Sequence, residues 1–322
     1  MKLNVNGFAR AVFGAGALAA ALSLASCGGG GGDQVETFHA DRVIAFGDEF
    51  SVINADGSKY SVNAPASDNA SQLDCNQNPI WIQIVAAAYG QEFAQCPGIS
   101  STEPTGQIYA ANGAKVADLS GQIDAFLNAG GGFSDKDLVT VLVGANDVIA
   151  QYQQYNELGE AQLAQNLAEA GAALAQQVNR LAGDGAKVLI VTIPDMGLTP
   201  FAGDRSPEST EGGPKVLSRL STKFNDALMS NLLNDGRKIG LVQLDQYLTA
   251  VDTATIKGYS SAIFSNTTLP ACAVALPKCS TNTLVPDAVN AAWLWADDRH
   301  FGARAHESLG ALARRRAGNN PF

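Results

Sequence analysis

Arg42-Val43-Ile44-Ala45-Phe46-Gly47-Asp48-Glu49-Phe50-Ser51 carries the first decision about the fold. Residues 42–46 are a short apolar run of strand type, closed by the turn residues Gly47 and Asp48. Runs of the same kind recur at 138–143, 187–193 and 240–244. Apolar residues without alternation mark strands covered on both faces, as in a parallel sheet. The stretches between them carry helical spacing. Within 160–181, Leu163, Leu167, Ala170, Leu174 and Val178 recur three or four residues apart, and 215–233, 78–89 and 303–315 read as further helices. Strand and helix in alternation predict right-handed βαβ units. The expected architecture is a three-layer α/β/α fold around a parallel sheet of about five strands.

A parallel sheet sets its functional loops at the carboxyl ends of the strands, which filters candidate residues geometrically. Gly47-Asp48-Glu49-Phe50-Ser51 follows the first run, Gly144-Ala145-Asn146-Asp147 the second and Pro194-Asp195-Met196 the third. Each also has a structural reading: Asn146 as a turn residue, Asp147 as the N-cap of the next helix, Gly113 and Gly144 as tight backbone turns. The loop 199–214, rich in Gly, Pro and charge, is expected to form a mobile rim.

The net charge of −10 excludes binding to nucleic acid or to anionic lipid by charge. Arg314-Arg315-Arg316 runs against that balance and reads as the solvated last turn of a helix. Of five cysteines, Cys27 stands apart near the N-terminus. The remaining four, Cys75, Cys96, Cys272 and Cys279, suit two disulfides in an oxidising compartment. Three pairings are open, and proximity favours Cys75 with Cys96 and Cys272 with Cys279. No CxxC spacing supports a cysteine metal site.

Lys2 and Arg10 precede an uncharged run, 11–25, shorter than the roughly 20 residues of a membrane-spanning helix. Residues 1–26 therefore read as a signal peptide. Leu24-Ala25-Ser26-Cys27 resembles a bacterial lipobox, which implies cleavage before Cys27, acylation of Cys27 and a lipid anchor in a membrane. Gly28 after it, by the same resemblance, favours the outer membrane. Residues 27–41, with glycines at 28–32, are expected to form a flexible tether. Residues 42–322 remain as one large domain. Cleavage removes Lys2 and Arg10 and makes the mature chain two charges more negative.

Four blocks occur in order at or near strand ends: Gly47-Asp48-Glu49-Phe50, Tyr109-Ala110-Ala111-Asn112-Gly113-Ala114, Gly144-Ala145-Asn146-Asp147 and Asp297-Asp298-Arg299-His300. Together they resemble the motif set of the SGNH (GDSL) ester hydrolases, with Glu49 where the family carries its serine. The region around Cys75, Trp81 and Cys96 also resembles bacterial secreted members. The resemblance implies a flavodoxin-like α/β/α fold and acyl transfer on a lipid, acyl or acetylated-glycan ester, without a cofactor. Gly113 N–H, the Asn146 amide and the N–H of residue 49 would meet the developing oxyanion. His300 would be the general base, oriented by Asp297. Asp298 is the alternative orienting acid, and His306 the alternative base. The motif match prefers His300.

Glu49 departs from this pattern, since acyl transfer of this kind needs an activated hydroxyl. Ser51, two residues further along a starting helix, is rotated by roughly 200° and should face away. A carboxylate at position 49 has three readings. It can pair with protonated His300 and plug the oxyanion site, act as a carboxylate nucleophile, or join Asp48, Asp297 and His300 around a cation. Ester hydrolysis weakened or altered by Glu49 is the first expectation, and a non-catalytic ligand-binding lipoprotein using the same cleft the second.

Overall fold

The computed structural model describes residues 38–69, 71–97, 104–203 and 213–319. Five parallel strands form the central sheet: β1 (Arg42–Gly47), β2 (Gln107–Ile108), β3 (Asp137–Leu142), β4 (Lys187–Val191) and β5 (Ile239–Val242). Their order is β2-β1-β3-β4-β5. All of β3 is buried, and β1 from Val43 onward, as strands covered on both faces must be. The four runs expected to be strands all pair here. The fifth, β2, is too short for any periodicity to reveal.

The helices are α1 (Trp81–Ala87), α2 (Leu119–Asn128), α3 (Ala145–Tyr152), α4 (Tyr155–Gly183), α5 (Gly213–Asn231), α6 (Leu244–Ile256) and α7 (Ala303–Ala317). Helix α1 packs on α7, α4 packs on α5, and α7 also reaches β4 and β5. Leu163, Leu167, Leu174 and Val178 of α4 are buried, as their spacing required. The helix breaks at Gly159 (φ 71°), which is why the periodic pattern starts only at residue 160. Residue 244, expected to end a strand, instead opens α6. A separate two-stranded sheet pairs β6 (Asn266–Pro270) with β7 (Trp293–Trp295).

Below the sheet, Arg42 and Asp137 are register partners on β1 and β3 and form a two-pronged ion pair of 2.8 and 2.9 Å. Packing begins slightly before the expected boundary at residue 42. Ala40 is fully buried, and Asp41 N–H donates to Lys136 O. The signal peptide and Cys27 lie outside the described residues, as does 204–212 of the expected rim. Among the described residues, no helix is long and apolar enough to cross a membrane.

Both expected disulfides are present, Cys75–Cys96 and Cys272–Cys279, with Cα separations of 5.7 and 5.8 Å. The second staples a short loop whose Pro277 and Cys279 carbonyls accept from the buried Asn63 amide. Closing a loop of seven residues' separation restricts the unfolded chain, which is worth about 2 kcal/mol. Replacing both Cys272 and Cys279 by Ser is expected to lower the free energy of urea unfolding by about that amount.

Candidate active site

The strand-end turns do the positioning. Gly47 has φ 124°, and a Cβ there would lie 2.0 Å from Leu142 O, so only glycine lets β1 turn against β3. Gln122 of α2 clamps this turn, accepting from Gly47 N–H at 2.7 Å and donating to Gly47 O at 2.8 Å. Asp48 then caps the single 3-10 turn Glu49–Ser51 by accepting from Phe50 N–H. Gly144 makes the matching turn after β3 (φ 127°), pressed against the Phe224 ring, and delivers Asn146 in the first turn of α3. The second block follows β2, so it too lies at a carboxyl strand end.

These turns bring the predicted residues together around one carboxylate. Glu49 Oε2 accepts from Gly113 N–H and from Asn146 Nδ2, both at 2.9 Å. Its Oε1 lies 3.2 Å from Asn146 Nδ2 and 3.1 Å from His300 Nε2. Glu49's own backbone N–H also favours the charged carboxylate. The three donors expected to meet a substrate oxygen thus converge on a side chain of the protein, itself only 5 % exposed.

On the far side of the imidazole, Asp297 Oδ2 lies 2.8 Å from His300 Nδ1, while Asp297 Oδ1 accepts from the His300 and Arg299 N–H groups. Asp298 turns away and pairs with the Arg299 guanidinium. With a carboxylate facing each ring nitrogen, both nitrogens act as donors and the ring is an imidazolium. Burial alone would lower the His300 pKa. Hydrogen bonds and charge from Asp297 and Glu49 outweigh it and push it up to about 9. Burial would likewise raise the Glu49 pKa, but His300, its own N–H and Gly113 hold it below the ordinary carboxylate range.

The remaining candidates sort by contact. Ser51 is fully buried, its Oγ accepting from Trp81 Nε1, and so faces away from Glu49 as expected. His306 is buried against Phe50 and Phe301, and burial pushes its pKa down to about 3. Asp147 does not cap α3. It accepts from Val116 N–H beyond the second block, and burial raises its pKa to about 6. Asp195 is spent on Gly197 N–H and Ser218 Oγ. The cation arrangement of Asp48, Glu49, Asp297 and His300 is not formed. The imidazolium stands between the two acids, and the described residues hold no cluster suited to a metal ion. Gln122 carried no sequence signal, since its partner is Gly47, 75 residues away.

A family model described as GDSL-like Lipase/Acylhydrolase matches residues 43–312. The chain belongs to this family. Members of the GDSL-like lipase/acylhydrolases hydrolyse esters as a class. The chain is similar to the extracellular lipase of Streptomyces rimosus, at 18 % identity and TM-score 0.47 over 87 % of this chain and 100 % of that one. It is also similar to an acetylxylan esterase of Geobacillus stearothermophilus, at 12 % identity and TM-score 0.44 over 88 % and 97 % of the two chains. A comparison with curated proteins finds no match.

Proposed function

We propose that the protein keeps the ester-binding cleft of the GDSL-like lipase/acylhydrolases but holds its hydrolytic centre closed, with Glu49 standing where the family places its serine. The single observation that carries this reading is the seat of the Glu49 carboxylate on Gly113 N–H, Asn146 Nδ2 and His300 Nε2. That seat is the one a substrate oxyanion needs. An imidazolium has no lone pair with which to accept a proton, so His300 is no general base near neutral pH. A carboxylate whose oxygens already face these donors, and whose pKa is depressed, is also a poor nucleophile. Hydrolysis of acyl or acetyl esters, from lipids or glycans, therefore runs at a residual rate, and the cleft chiefly binds. The leader 1–26 followed by Cys27 supports a lipid-anchored form at the outer membrane.

The test is turnover of p-nitrophenyl acetate by the unaltered chain and by Glu49→Ala. The unaltered chain is expected to stay within about tenfold of the uncatalysed rate, because nucleophile and oxyanion seat are both lost, and Glu49→Ala to exceed it by no more than the roughly 10³-fold that an open oxyanion seat supplies without a nucleophile. Rapid turnover by the unaltered chain, abolished in Glu49→Ala, would establish a carboxylate nucleophile and overturn the reading.

A further inference from the structure

A groove of about 540 Å3 runs between α5 and α6, near the carboxyl ends of β4 and β5, and none of the residues around Glu49 lines it. Helix α6 presents Asp245, Thr249 and Thr253 to it, four residues apart and so along one face. Gln246 and the half-exposed Tyr259 complete that side.

The polar groups behind the groove are already committed. Asn225 brackets the Ile193 backbone, accepting at 3.1 Å and donating at 3.0 Å, and Ser221 Oγ joins Met196 N–H to Leu217 O. One Asp245 oxygen accepts from Thr192 Oγ1 at 2.7 Å. In front of that layer, the other Asp245 oxygen, the Gln246 amide and the Thr253 and Tyr259 hydroxyls have no hydrogen-bond partner among the described residues. They offer both donors and acceptors.

The lining holds two acids, Asp195 and Asp245, and no Lys, Arg or His, and the nearby Lys257 Nζ is engaged over the Tyr259 ring at 5.9 Å, so a phosphate or carboxylate is disfavoured. A mainly apolar ligand would strand the amide, hydroxyl and carboxylate groups without partners. A ring bearing several hydroxyls satisfies both kinds of group and can lay its C–H face on Tyr259. The volume falls within the range of small-molecule sites. We infer that this groove binds a short neutral oligosaccharide.

The groove is tied to the candidate active site through one loop. The chain running from Asp195 on the groove wall reaches Phe201, whose N–H donates to Asp298 O at 2.7 Å and whose ring lies 5.2 Å from the Arg299 guanidinium. Resting on the ester reading above, the groove holds the sugar portion of a glycan ester whose acyl group approaches His300.

Calorimetric titration of the full chain with cellohexaose, xylohexaose and chitohexaose tests the inference. At least one is expected to bind with a Kd of about 1 mM or tighter. Tyr259→Ala and Gln246→Ala, both at the surface and harmless to the core, are each expected to weaken that binding about tenfold. Absence of binding by all three sugars, or binding that neither substitution changes, overturns the inference. Ester turnover by Glu49→Ser is a separate readout. Sugar binding without it removes the ester reading and leaves the groove, while turnover without sugar binding does the reverse.

Discussion

Glu49→Ser is expected to hydrolyse p-nitrophenyl acetate with a kcat/KM about 10³-fold or more above that of the unaltered chain. The substitution empties the seat on Gly113 N–H and Asn146 Nδ2, so both can meet a substrate oxyanion. A single donor of this kind is worth about 10²- to 10³-fold in turnover. It also removes one of the two carboxylates that hold His300 protonated, and the imidazole pKa falls toward the range of a working base. Asp297 remains on Nδ1 to fix the tautomer. Position 49 faces His300 Nε2, which Glu49 Oε1 meets at 3.1 Å, so the shorter hydroxyl is directed at the same imidazole. Adding His300→Ala to Glu49→Ser should remove most of that rate and leave only what the open oxyanion seat supplies. A folded Glu49→Ser protein that stays at background would show that the cleft no longer accommodates an ester, and the closed-hydrolase reading would fail.

The second large effect is on stability against pH. The His300 pKa stands at about 9 in the folded chain, against about 6.5 in an unfolded one. The folded state therefore holds this proton more tightly. The stabilisation is fully present below about pH 6.5, shrinks as pH rises through the interval, and is gone above about pH 9. A shift of this size corresponds to about 3 kcal/mol. Lys59 acts in the opposite sense above about pH 8. Burial lowers its pKa to about 8, although its Nζ donates to Cys75 O, Gln77 O and Asn78 O. The measurement is accordingly a difference. Urea unfolding of the unaltered chain and of His300→Gln at pH 6 and pH 9.5 should show the unaltered chain losing more stability over that interval. Parallel losses in both proteins would mean that His300 is not held as an imidazolium.

Much of the fold was legible because its signals are local. The apolar runs at 42–46 and 138–143 have no face to give to water, and that alone places them in a doubly covered sheet. The spacing of Leu163, Leu167 and Leu174 likewise states which side of α4 is buried. Helices α2 and α6 escaped because Gly121 and the threonines at 249, 253 and 255 weaken their helical signal, and packing supplies what propensity lacks. Asp147 reads as a cap from its neighbours in sequence, yet its partner is Val116, on a different loop. His306 looks as eligible as His300 by residue type. Burial against Phe50 and Phe301 is what removes it.

The sequence by itself determined the α/β class, the strand ends at which chemistry can sit, and the set Glu49, Gly113, Asn146, Asp297 and His300. The class and the strand ends follow from residue type and short-range spacing, and the set from the resemblance of four ordered blocks to a family motif. Only the tertiary structure decided what Glu49 does. Residue 49 is 64 positions from Gly113, 97 from Asn146 and 251 from His300, and nothing local tells a carboxylate facing solvent from one seated on three donors. The turns after β1, β2 and β3, with the loop after β7 that carries His300, settle it by bringing those donors within 3.1 Å of the carboxylate oxygens, while burial removes the water that would otherwise compete for them.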